Sequence, residues 1–514
     1  MLDRRSFLRL ASATAAFFAQ KARPQTATPP SSVRGTPQGV RGPVSNKKNF
    51  VGIQVRGFAW VDEGIDQVLD NIQHKGEVNT VWAYTFAYGE QRLRKGGGLP
   101  DHGTALTAAN TGVNAGALYD YDPKYFQNTS LRDFRLSDYG KFNVIEQVAP
   151  KAKARGMDFF AWDLNNPSPT LAHTAPNYAE LGEIDVNGRR TTNPCFNNPD
   201  FRAYLSGKIE SLLIGYHDLV DGIAWGCERM GPLDNMIGGS ASATCFCHFC
   251  QARARDLGIS VPRAQAGYRE LAQLFHASAQ DSAPADGYFT AFWRILLKYP
   301  EILSWESLWT DSFQEAQAEL YSLGKAIAPQ KPFGFHLMQS MTFSPFYRAE
   351  EDYTKRRNFA DFLKLATYNN AGGPRMSAYL NALSRTIFHD AKPADFLPLY
   401  YKIMNYNEAP YDQLASQGLS PDYVAKETKR ALVGVAGQTK IYPGIDIDVP
   451  VLGAGPAATD KRTKPDDVKH ALEAAFTAGA DGVVLSREYV EMYLANLTSA
   501  GNTLRAIFAA QPKA

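Results

Sequence analysis

The sequence predicts a (β/α)8 barrel. Eight short β-rich runs alternate with helical stretches from Asn49 onward, and the runs finish in polar and aromatic residues, as parallel barrel strands do at their functional ends. The chain, 514 residues with 44% apolar content, is long enough to enclose a large core. The runs are Phe50 to Arg56, Thr80 to Phe86, Asp158 to Leu164, Gly222 to Gly226, Pro332 to Leu337, Phe362 to Tyr368, Ile441 to Ile447 and Gly482 to Ser486. Helical periodicity fits Gly64 to Gln73, Phe142 to Arg155, Phe201 to Leu213, Pro421 to Val435 and Pro465 to Ala478, with a closing helix from Tyr489 to Ala509. The barrel is expected over 48–514. The connection after the fourth run, 230–330, is too long for a βα loop and is expected to be an inserted helical subdomain. Its stretches Arg263 to Ser278 and Tyr288 to Ile327 carry the apolar residues Trp293, Leu296, Leu297, Trp305 and Leu308, which read as packing.

Charge and termini bound the partners. Lys and Arg total 54 against 52 Asp and Glu, so no large field draws the chain to nucleic acid. The opening Asp3-Arg4-Arg5-Ser6-Phe7-Leu8-Arg9 and the alanine-rich run to Ala19 resemble a twin-arginine export signal, expected over 1–27 without a defined cut site. That run is shorter than the roughly 20 apolar residues a membrane span needs, and no later segment supplies one. Residues 28–47, rich in Pro and Gly, read as a flexible linker. The expectation is a periplasmic or secreted protein carried by the twin-arginine machinery.

Active sites of such barrels lie at the C-terminal ends of the strands. The candidates there are Arg56, Trp60, Trp82 and Tyr84 after the first two runs, then Trp162, Asp163 and Asn165 after the third. Trp225, Glu228 and Arg229 follow on the fourth, His336 on the fifth and Tyr368 on the sixth. Asp446 and Asp448 end the seventh, and Arg487 and Glu488 the eighth.

Five cysteines are present: Cys195, Cys227 and the cluster Cys245-Phe246-Cys247-His248-Phe249-Cys250. The C-x-C-x-x-C spacing lets three thiolates converge on one tetrahedral ion, and Cys195 is the best candidate for the fourth ligand of a structural zinc. Disulfides are the alternative in an exported chain. A twin-arginine route, which delivers folded protein, lets zinc load in the reducing cytoplasm first.

The order Asn193-Pro194-Cys195-Phe196-Asn197-Asn198-Pro199-Asp200-Phe201-Arg202, a helix, a strand ending in Glu228, then C-x-C-x-x-C followed by Gln251-Ala252-Arg253, resembles glycoside hydrolase family 42, the beta-galactosidases, over about residues 190–260. The resemblance implies structural zinc on Cys195, Cys245, Cys247 and Cys250, and an acid/base role for Glu228. Two positions depart from the family. Cys227 stands where the family has Asn, and the seventh run carries aspartates where the family has a nucleophilic glutamate. The resemblance therefore points to a related barrel acting on glycosides.

Glycoside cleavage needs a proton donor and a second carboxylate. The expectation makes Glu228 the acid, its pKa raised by burial against Trp225 and by like charges. Asp446 is the second carboxylate, with Asp448 and Glu488 as substitutes, in a retaining arrangement like that of the resembled family. Asp163 would bind hydroxyls, Arg229 an acidic sugar or a carboxylate at the rim, and Trp60, Trp82 and Trp162 sugar faces. The alternatives are a non-catalytic carbohydrate-binding barrel and a lyase or isomerase on the same scaffold.

Overall fold

Eight parallel strands close on themselves: β1 (Phe50–Val55), β2 (Thr80–Tyr84), β3 (Asp158–Leu164), β4 (Gly222–Gly226), β5 (Phe333–Leu337), β6 (Phe362–Leu365), β7 (Lys440–Asp446) and β8 (Gly482–Ser486). Each pairs with the next in sequence, and β8 pairs back onto β1, with Phe50 opposite Gly482. The computed structural model describes residues 49–88, 100–102, 115–165, 170–171, 175–239, 242–278, 283–448 and 461–511. The expected signal and linker, 1–27 and 28–47, lie outside them.

The barrel interior is filled by aromatic rings. Phe50 stacks on Tyr442 at 4.0 Å, Tyr442 meets Phe362 at 5.5 Å, and Trp82 packs on both Phe362 and Trp162 at 5.5 Å. Rings this large fit because glycines face them. A Cβ on Gly334 would come within 2.4 Å of Phe362, and one on Gly222 within 2.7 Å of Phe160. Burying each such ring contributes about 1.5–3 kcal/mol. The alternating β-period thus yields a packed plug beneath the C-terminal mouth.

Helices wrap the strands: α1 (Ile65–Gly76), α2 (Val144–Ala154), α3 (Pro199–Glu210), α4 (His248–Asp256), α5 (Val261–Ser278), α6 (Tyr288–Lys298), α7 (Glu301–Ile327), α8 (Asn369–Leu383), α9 (Pro421–Val435), α10 (Pro465–Thr477) and α11 (Leu494–Ala510). Among the described residues no helix is long and apolar enough to cross a membrane.

Several local expectations change, among them the following. The single helix expected over Tyr288 to Ile327 is two, because Pro300 interrupts it. β6 stops at Leu365 rather than Tyr368, since Tyr368 is already the N-cap residue of α8. The closing helix begins at Leu494, after a 3-10 turn over Tyr489–Glu491. The Asn369-Asn370-Ala371-Gly372-Gly373-Pro374 run, which reads locally as a loop, is the first part of α8. Its start is held from outside the helix, for the Asp446 carboxylate accepts the Ala371 N–H at 2.9 Å and the Asn370 amide at 2.7 Å.

The expected insertion packs its helices around buried acids. Asp234 accepts from Ser344 Oγ at 2.5 Å, while its Oδ2 has no hydrogen-bond partner among the described residues. Glu306 on α7 accepts the Leu233 N–H at 2.7 Å, and Glu350 accepts from Thr310 at 3.0 Å. Burial pushes Asp234 up to about 6 and Glu350 up to about 7. Burial and the neighbouring Glu350 raise Glu306 well above the usual carboxylate range.

Candidate active site

Glu228 stands just past β4, and its side chain is 36% exposed at the mouth. Its hydrogen-bond partner among the described residues is His336 of β5, Nε2 to Oε1 at 3.0 Å. His336 is buried, with Trp162 meeting its ring edge-on at 5.8 Å. Burial and the nearby Lys364 ammonium push the imidazole down to about 4. The ring is therefore neutral near pH 7, and a neutral ring facing an ionised carboxylate donates from Nε2 and leaves Nδ1 as an acceptor. Nδ1 has no partner.

Lys364, directly opposite His336 in the β5–β6 register, is fully buried and donates to the Tyr368 hydroxyl. Its ammonium lies 4.6 Å from the Tyr368 ring centroid, and the Arg375 guanidinium lies 5.6 Å from the same ring. Arg375, on α8, donates to Gln339 at 2.8 Å. Burial and the cations Arg375 and Arg487 push Lys364 down to about 7, although Glu228 pulls the other way.

The expected rise of the Glu228 pKa is overturned. Burial raises it, but the His336 hydrogen bond and the cations Arg487 and Arg375 outweigh that and hold the carboxyl down to about 2. Trp225 is not a neighbour in the mouth. It packs outward, 6.3 Å from Phe313 of α7 and 6.1 Å from Phe335.

The other carboxylates are engaged. Asp446 is fully buried and accepts from Asn370, Ala371 and, at 3.1 Å, Thr463, so its partners are neutral donors; burial raises its pKa. Asp448, with φ 144°, pairs with Arg462 at 2.6 Å. Glu488, fully buried, pairs with Arg56 at 2.6 Å. Arg56 also lies 5.4 Å from the Tyr84 ring centroid, and Tyr84 meets Trp162 edge-on at 5.9 Å, so Arg56, Tyr84 and Glu488 form a second patch beside the first. Arg487 grips Glu491 through its fork, Nε to Oε2 at 2.6 Å.

Several expected contacts belong to the core instead. Trp60 and Trp82 are buried, and Trp162 lies in the barrel plug beneath His336 with no solvent exposure, so none presents a face to a sugar in this structure. Asp163 points outward to Lys208 at 2.6 Å and Tyr88 at 2.9 Å, a buried ion pair rather than a hydroxyl binder. Arg229 is not at the rim; it is buried against Glu183 at 2.5 Å and donates to the Pro194 carbonyl at 2.7 Å. Asn165 is buried, its N–H on the Gly226 carbonyl at 2.7 Å and both side-chain amide atoms without partners among the described residues.

The structure thus gathers Glu228, His336, Tyr368 and Arg487 with two residues the sequence reading passed over, Lys364 and Arg375. Lys364 had a signal. It shares a strand face with Phe362, two residues earlier and packed inside the barrel, which turns it inward, and a lone cation at such a position is rarely structural filler. Arg375 had none, because α8 reads as a loop.

Cys195, Cys245, Cys247 and Cys250 are buried, free of disulfides, with all four sulfurs within 4.8 Å of one another. Cys195 and Cys250 are 3.4 Å apart and Cys195 and Cys247 3.6 Å. A tetrahedral ion with metal–sulfur bonds of about 2.3 Å separates its sulfurs by about 3.8 Å, whereas a disulfide closes them to about 2 Å. The Asn197 N–H and amide donate to Cys195 and Cys250 at 3.3 Å, and the Ile184 N–H to Cys245 at 3.4 Å, the donors that thiolates bound to a metal use. The cluster can hold a metal ion.

No protein-family model matches the chain, and no curated protein matches it in sequence. Among solved structures the fold is similar to the β-galactosidase from Rahnella sp. R3, with a TM-score of 0.50 and 14% identity over 91% of this chain and 57% of that one. It is equally similar to the β-galactosidase from the psychrophilic Marinomonas ef1, with a TM-score of 0.50 and 10% identity over 89% of this chain and 59% of that one. The chain spans less than two thirds of either protein's length. At these identities the likeness shows the fold: this chain is a (β/α)8 barrel of the architecture those β-galactosidases share.

Proposed function

We propose that the chain is an exported glycoside hydrolase whose acid/base group is Glu228. The observation that carries this is the position of Glu228. Of the four candidate carboxylates it alone is open to solvent at the C-terminal mouth, beside a neutral histidine that can relay its proton. Asp446 is the second carboxylate of the proposal, because Asp448 and Glu488 are tied to arginines whereas Asp446 is held by neutral donors. A structural zinc on Cys195, Cys245, Cys247 and Cys250 ties the segment before α3 to the start of α4, and export by the twin-arginine route belongs to the same reading.

Hydrolysis of a panel of chromogenic glycosides and oligosaccharides tests it. Glu228→Gln should cost about 10²–10⁴-fold in turnover and less on substrates with activated leaving groups. Near wild-type turnover of an unactivated glycoside by this variant would sink the assignment. The engagement of Asp448 and Glu488 in ion pairs favours a second reading, a non-catalytic sugar-binding barrel, which retained binding without turnover in the wild type would select.

A further inference from the structure

A proton donor must hold its proton near the working pH, and the free mouth does the opposite to Glu228. Resting on the reading of Glu228 as acid/base, the inference concerns what the substrate must bring. Glu228 feels the charges of Arg487, just past β8, and Arg375, on α8, and Lys364 of β6 feels that of Glu228; His336, opposite Lys364 in the β5–β6 register, holds Glu228 by its hydrogen bond. Arg56 and Arg487 each hold a glutamate of their own. Lys364 has no carboxylate within ion-pair distance among the described residues, its donor bond going to the Tyr368 hydroxyl. The Lys364 ammonium and the Arg375 guanidinium both lie against the Tyr368 ring, at 4.6 and 5.6 Å from its centroid, so two like charges stand close to one another. Burial and then the Arg487 charge lower the proton affinity of Arg375, and burial and then the Arg375 charge lower that of Lys364.

We propose that this mouth takes an acidic sugar, seating its carboxylate against Lys364 and Arg375 beside Glu228. Guanidinium forks match a carboxylate in two-pronged geometry, which makes such a site selective as well as attractive. The bound anion relieves the like-charge crowding and stands as a like charge to Glu228, which raises the proton affinity of Glu228. The substrate so restores the proton that the free site drives off, and a neutral sugar does not. The same anion raises the proton affinity of Lys364, whose other charged and titratable neighbours are Glu228, His336, Tyr368, Arg375 and Arg487.

Calorimetric titration of the full chain with D-glucuronate, D-galacturonate, glucose, galactose and acetate tests this. One uronate should bind at least about tenfold tighter than its neutral counterpart, the worth of one charge-assisted hydrogen bond, and tighter than acetate, with affinity falling as salt rises. Arg375→Gln should abolish the preference and Arg375→Lys should keep part of it. Repeating the titration at about pH 7.5 in buffers of different ionisation enthalpy should show proton uptake that Lys364→Met removes. Equal binding of uronates and neutral sugars, or no uronate binding at all, overturns the proposal even if neutral glycosides are cleaved. A uronate preference without turnover of any glycoside leaves the proposal standing and removes the hydrolase reading.

Discussion

Replacing Asp234 with Asn should make the barrel's stability less sensitive to alkaline pH. Asp234 is buried with one oxygen unpartnered, and it titrates at about 6 when folded. An unfolded aspartate titrates near 3.9, so folding holds this proton by about 3 kcal/mol. The sign follows from the raised folded pKa: the contribution is full below about pH 4 and is lost as pH rises through about 6. Between about pH 5 and pH 8 the loss is about 1.4 kcal/mol, tenfold in the unfolding equilibrium. Asn keeps an acceptor for Ser344 and carries no proton to lose. Removing the charge also eases the ionisation of the neighbouring Glu350 and Glu306, which acts in the same direction. For a barrel of this size the effect is about 1–2 °C in Tm, because unfolding entropy scales with length. Scanning calorimetry of both proteins at the two pH values measures it. A Tm that moves by the same amount in wild type and Asp234→Asn refutes the reasoning.

Further perturbations have equally definite outcomes. Elemental analysis of protein purified without chelator should find one zinc per chain, and Cys195→Ser should lower Tm more than Cys227→Ser, since Cys227 is buried outside the cluster; zinc-free protein with unchanged Tm would contradict this. Gly444→Ala would place a Cβ 2.7 Å from the Leu365 carbonyl and 2.8 Å from Lys364 Cε, costing about 1–3 kcal/mol in denaturant unfolding and displacing Lys364, with loss of any uronate preference. An unchanged denaturation midpoint would show that the strand gives way freely. Replacing Arg4 and Arg5 with Lys should hold the protein in the cytoplasm, and undiminished export in a fractionation assay would remove the twin-arginine reading.

The barrel was legible because its signal is local and repeated. Each strand is a short apolar run between turn residues, and the β3, β4 and β8 bounds match the observed strands residue for residue. Three of the cysteines were legible through spacing, and Cys195, expected as the fourth, joins the cluster from 50 residues away. The content of the mouth was less so. Trp225, Asp163 and Arg229 sit at strand ends as the sequence indicates, yet each turns outward to pack against the helical layer, Trp225 on Phe313, Asp163 on Lys208 and Arg229 on Glu183. A strand end allows both directions, and the partner that decides lies 45 to 88 residues away, on another element. Lys364 and Arg375 reach Glu228 only because β6 lies two strands from β4 in the closed barrel and because Asp446, from β7, caps a glycine-rich helix that local propensity disfavours. Sequence by itself determined the strand order and the grouping of Cys245, Cys247 and Cys250, both written in local period and spacing. Tertiary structure alone decided the charge around Glu228, because a carboxyl's proton affinity is set by whichever cations the closed barrel brings within a few ångströms.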